Sequence, residues 1–199
     1  MKNTGTEIAC VWRNLRPATR KLVRGALAAT ASLSLMEVIV SAGATHEMSR
    51  LLTALDQQLS LNHLPAQARQ DLRQLADTCA AVLQAEACSA KIFAQLVERA
   101  YRQHDFARLC ALGEILAARL APQELCVTLR HPHPVVRALG HEALVHLPTT
   151  ALARLLSEPA QADLARYALE RQALDYGSEA AHEILFFLDD EEGEFCVAE

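Results

Sequence analysis

Aromatic side chains make up only 5% of this 199-residue chain, with a single tryptophan, and there are only seven glycines. Nowhere do β-branched and polar residues alternate over the roughly four to eight positions that a half-buried strand needs. A sheet protein is thereby excluded. Punctuation for catalysis is missing as well. No serine sits in a G-x-S-x-G elbow, no glycine-rich loop could cradle a phosphate, and no cysteine has a histidine nearby in an activating setting. The six cysteines, Cys10, Cys79, Cys88, Cys110, Cys126 and Cys196, form no CxxC. They read as small buried hydrophobes in a reducing compartment, with Cys110 and Cys126 filling core gaps, and not as a disulfide framework.

No apolar run is long and clean enough to cross a bilayer. The best, GALAATASLSLMEVIV over 25–40, is interrupted by Glu37. It follows a basic segment and runs into Ala42-Gly43-Ala44, which has the small-x-small form of a signal cleavage site. The long basic lead-in and Glu37 oppose export. The run is read as a buried internal helix of a cytoplasmic protein; the alternative is a periplasmic protein cut near Ala44.

What is present is apolar and helix-forming. Hydrophobic residues are 51% and charged ones 22%, which suits a folded chain. Ala, Leu, Arg, Gln and Glu dominate, all good helix formers. The expected fold class is all-α. The net charge of −5 is polarised along the sequence. Residues 1–24 carry six cations (Lys2, Arg13, Arg16, Arg20, Lys21, Arg24) against Glu7, whereas 189–199 carry six acids and no cation. An acidic body argues against nucleic acid as a partner, since phosphate binding needs a concentrated basic surface.

Apolar spacing and breakers organise the chain into a flexible basic arm (1–16), a single helical-repeat domain (17–188) and an acidic tail (189–199). Within the domain, helices are expected over 17–41, closed by Gly43, then 46–59, 65–87 and 90–102 with Ser89 as N-cap. Further helices follow over 106–120 with Asp105 as cap, 122–129, 135–147, 149–156, 163–174 and 178–188. About ten helices joined by short loops favour antiparallel neighbours, stacked as about five helical hairpins.

Two stretches are written to the same plan. Ala143-Leu144 and Ala173-Leu174 lie 30 residues apart, and the same offset carries Leu155 onto Leu185. The segment HPHPVVRALGHEALVHLPTTALARLL resembles a HEAT or HEAT-like (phycocyanobilin-lyase type) repeat, with Pro134, Val136, Arg137, Ala143, Leu144, Leu152, Leu155 and Leu156 at the matching positions. Residues 163–192 resemble it more loosely, through Leu164, Arg166, Ala173, Leu174, Gly177, Ile184, Leu185 and Asp189. The resemblance, clearest over 129–192, implies a right-handed α-solenoid; the alternative is a compact irregular helical bundle. Arg137 and Arg166 are then expected to bind neighbouring carbonyls or carboxylates and to support stacking.

Histidines cluster in the C-terminal half, yet His141 and His146 are five apart and diverge on a helix, unlike the i, i+4 pair of a zinc site. The dipeptides His46-Glu47, His141-Glu142 and His182-Glu183 invite comparison with the di-iron HEAT-like hydroxylases. There the pair directly follows Val-Arg, whereas here Ala138, Leu139 and Gly140 intervene. No metal, no cofactor and no enzymatic activity are expected. The competing reading is a HEAT-like enzyme or lyase with a groove lined by His141, Glu142, His182 and Glu183.

The reading favoured is a protein-interaction adaptor of bacterial type. Its contact surface is assigned to the helical groove and the C-terminal end, at Phe186, Phe187, Asp189, Asp190, Glu191 and Glu192. Adjacent rings cannot both hide on one narrow stripe of a helix, so one should stay partly exposed beside the acids. The partner is then a protein with a basic surface or a second copy of the chain.

Overall fold

The computed structural model describes residues 4–30, 42–61, 64–86 and 88–195. The described residues are helical, without strands, in eleven helices. Their contacts cluster in two compact units, Met1–Ala87 and Cys88–Glu199, where the sequence reading drew one helical domain over 17–188.

The first unit holds α1 (Thr4–Asn14), α2 (Pro17–Thr30), α3 (Ala42–Ser60) and α4 (Ala66–Glu86). The stretch expected to be a flexible arm is thus largely helical, and α1 packs on α3. A helix forms there because Ile8, Val11 and Trp12 give α1 a half-covered apolar edge at helical spacing. Gly43 does not end a helix but lies in the first turn of α3. A Cβ on it would stand 2.8 Å from the Arg16 guanidinium, so the glycine permits that approach. The expected helix over 17–41 is seen as far as Thr30, and 31–41 lie outside the described residues. Met48, Leu51, Leu52 and Leu55 of α3 are fully buried, as are Cys79 and Leu83 of α4, its neighbour.

The second unit holds α5 (Ala90–Arg102), α6 (Phe106–Arg119), α7 (Pro122–Leu129), α8 (Pro134–Val145), α9 (Thr149–Leu156), α10 (Ala162–Tyr176) and α11 (Glu179–Phe195). Two rows of neighbours run through it: α5, α7, α9 and α11 in one, α6, α8 and α10 in the other. The contacts of α5 with α6, α7 with α8, and α9 with α10 join the rows. Leu96, Leu112, Leu116, Leu125, Leu144 and Leu152 fill the interior between them.

Polar groups fix the joints. Asp105 caps α6 as its sequence suggests, accepting from the Arg108 amide at 3.0 Å. Ser89 makes no side-chain cap. The Ala90 amide instead donates to Glu124 Oε2 at 2.7 Å, so a carboxylate of α7 closes the N-terminus of α5. Arg137 Nη1 donates to the carbonyls of His131 and Pro132, both at 2.8 Å, which ties the bend to α8. Arg166 pairs with Glu170 at 3.5 Å. Arg137 thus binds carbonyls of the preceding bend, and Arg166 a carboxylate one turn along its own helix.

The buried Gln172 was not singled out from sequence. Its Nε2 donates to the carbonyls of Val145 and Leu147 at 2.8 and 2.7 Å, and its Oε1 accepts from the Thr149 hydroxyl at 3.0 Å. One amide thus satisfies the end of α8 and the start of α9 from within α10. Gly177, at φ 62°, then turns the chain out of α10.

Candidate interaction surface

Helix α11 divides into two faces. Ala181 is fully buried, and Ile184, Leu185 and Leu188 follow it as a half-buried stripe against α9 and α10. Opposite that stripe, Glu179, Glu183, Phe186 and Phe187 are exposed at i, i+4, i+7 and i+8. The rings of Phe186 and Phe187 are 64% and 60% exposed and meet edge to face, centroids 6.1 Å apart. Sequence reasoning expected one ring to remain partly exposed. Both are, because the buried stripe runs through Ile184, Leu185 and Leu188 and takes neither ring. The helix continues through Asp189, Asp190, Glu191 and Glu192, whose side chains lie outside the described residues.

Two large aromatics stand together beside carboxylates, and α11 has Glu179 in its first turn and no cation in its last. Aromatic anchors with a charged rim are the composition of a protein-recognition patch. Other large apolar residues lie exposed at Phe106, Val127, Leu174 and Tyr176. Of these, Leu174 was expected to be the interior counterpart of Leu144, yet it is 77% exposed whereas Leu144 is fully buried.

Burial explains the discrepancy. Val136, Gly140, Ala143 and Leu144 turn inward on α8, and Ala165, Leu169, Gln172 and Ala173 turn inward on α10. These positions are 29 residues apart, as are Arg137 and Arg166. The 30-residue offset that aligned the two Ala-Leu pairs is one residue too long on this helix, and one residue rotates a helical position by about 100°.

Within the second unit the histidines and the two His-Glu pairs are not assembled into one site. His141 stands edge-on to Tyr167 at 5.6 Å, His133 to Tyr101 at 5.1 Å and His146 to Tyr176 at 5.5 Å. His146 also meets Glu142 at 3.1 Å, and His131 lies 3.8 Å from Glu98. Among the described residues, no group of three or more His, Cys, Asp or Glu is placed to hold a metal ion.

Glu47 does different work. Its carboxylate accepts from the Arg16 amide at 3.0 Å and the Thr19 hydroxyl at 2.6 Å, closing the start of α2, and Arg16 Nε lies 3.2 Å away. Burial pushes this carboxyl up, but the Thr19 and Arg16 hydrogen bonds and the Arg16 and Arg50 charges outweigh it, leaving the group below its ordinary value.

The cysteines divide as well. Cys79 and Cys126 are buried, and burial pushes the Cys126 thiol up. Cys10, Cys88 and Cys110 are exposed, contrary to the expectation of small buried hydrophobes, and Cys196 lies outside the described residues. Leu109, Leu112 and Leu116 occupy the inner face of α6 and leave Cys110 on the outer one with Ala107 and Glu114.

No helix among the described residues is long and apolar enough to cross a membrane. No protein-family model, no curated protein and no solved structure matches the chain.

Proposed function

We propose that the chain is a non-enzymatic protein-interaction module, an adaptor that engages a basic surface of a protein partner through the outer face of α11. The observation that carries this reading is the pair of exposed rings, Phe186 and Phe187, in line with Glu179 and Glu183. Leaving two adjacent phenyl rings in water forgoes roughly 1.5–3 kcal/mol of burial for each. A partner that covers them recovers that energy.

A HEAT-like α-solenoid is the architecture proposed for the second unit. Its support is the two-row pattern of neighbours, the 29-residue correspondence of α8 with α10, and Arg137, which holds the bend before α8. Stacked helices of this kind act by recognition, with their terminal elements open to partners. The cytoplasm is the compartment proposed.

The test is affinity purification of tagged full-length chain and of a variant lacking residues 186–199. The variant should lose the partners while circular dichroism still reports a cooperatively melting helical body. Equal recovery of the same partners would move the contact surface off α11, to the inner helices of 105–174.

A further inference from the structure

We infer that a second copy of the chain is a partner for this surface, with the acidic, aromatic face of α11 in one molecule docking on the basic face of α2 in another. The inference rests on reading α11 as the recognition element and names the chemistry that element would meet.

The basic face is formed by Arg20, Lys21 and Arg24, at i, i+1 and i+4 on α2. Lys21 and Arg24 are exposed and Arg20 half-exposed, while Thr19 and Val23 take the buried side of the helix. No acidic residue lies in the first turn of α2, or anywhere in its sequence PATRKLVRGALAAT. The Arg24 guanidinium stands over the Trp12 ring at 5.8 Å, adding an aromatic plate beside the cations. Trp and Arg are the residue types most enriched where binding energy concentrates.

The two faces match in charge and spacing. Arg20 and Arg24 are four residues apart on α2, as Glu179 and Glu183 are on α11. Each pair therefore spans about 6 Å of helix axis. Laid side by side, the helices bring two carboxylates against two guanidinium groups, with the phenyl rings one turn further along α11. The sequence repeats this polarity at larger scale, with six cations in 1–24 and six acids in 189–199. Two such ends on one chain are complementary between copies and not within a like pair of ends. The contact therefore joins unlike faces, α11 of one copy and α2 of the other. Complementary patches of this kind set register and speed encounter, and they weaken with salt.

The experiment is sedimentation velocity on the untagged full chain over a concentration series, at about 50 mM and about 500 mM sodium chloride. Reversible association is expected at low salt, at least about tenfold weaker at high salt because exposed charges are screened there. Glu179→Lys with Glu183→Lys should weaken it about tenfold or more, and Arg20→Glu with Arg24→Glu should do the same. Mixing the two variants should restore association, since each then presents the charge the other needs. Restoration also shows that both variants are folded. A chain that stays monomeric through the low-salt series overturns the proposal, and so does association that ignores all four residues. Phe186→Ala with Phe187→Ala, run alongside, separates this claim from the broader one. If the native chain is monomeric but those changes still abolish recovery of another protein, self-association falls and the α11 surface stands. If they alter neither measurement, both fall.

Discussion

Leu144 and Leu174 have the same neighbour, alanine, in the sequence and opposite fates in the fold. Leu144 is fully buried on α8, and Leu174 is 77% exposed on α10. Leu144→Ala should cost about 2–5 kcal/mol, the range for a large core truncation. Leu174→Ala should stay within about 0.5 kcal/mol. Urea unfolding of the two variants checks both, and equal losses would reinstate the 30-residue correspondence. The core position of Leu144 could be read from helical spacing, but that of Leu174 could not. An Ala-Leu pair fits either offset, and only the inward turn of Gln172 and Ala173 selects 29. Glu47 offers a second test. Its pKa is lowered in the folded chain, so folding favours its ionised form. That contribution is complete above the ordinary value of 4.5 and disappears as pH falls through the lower folded value. Melting temperatures recorded from about pH 6 to pH 3 should fall more steeply for the native chain than for Glu47→Gln. Parallel curves would mean that the cap on α2 does not depend on ionised Glu47.

At the scale of elements, most helices could be read from spacing and breakers. The expected bounds of α5, α7 and α9 are those observed, α6 ends one residue earlier, and α8 and α10 differ by a residue or two at each end. What the sequence could not show is how closely elements approach. Gly140 was read only as a spacer between Arg137 and His141. It is buried where α8 crosses α7, and a Cβ there would lie 2.3 Å from Thr128 Oγ1. Thr128 cannot easily move aside, being buried, β-branched and hydrogen-bonded to the Leu125 carbonyl at 2.7 Å. Gly140→Ala should therefore destabilise by about 1–3 kcal/mol, because overpacking at the contact outweighs the gain in helix propensity. Thermal melting of Gly140→Ala checks this, and a stabilised variant would contradict the close approach. Helix α1 was missed for a related reason. A short segment with few apolar side chains reads as an arm until the helix it packs on, α3, is known.

For the whole molecule, the all-α class follows from composition, and the outer face of α11 follows from two adjacent phenylalanines. Their sequence implied one exposed ring; the fold exposes both, because α9 and α10 meet the side of α11 that carries neither. Recognition by this face is the central claim. Its most direct measurement compares quantitative recovery of protein partners by the native chain, by Phe186→Ala with Phe187→Ala, and by Leu174→Ala as an equally exposed apolar control. Aromatic anchors at the centre of a contact are worth about 2 kcal/mol or more each. The double variant should lose recovery at least about tenfold with an unchanged melting temperature, while Leu174→Ala recovers as the native chain does. Native-level recovery by the folded double variant would contradict it.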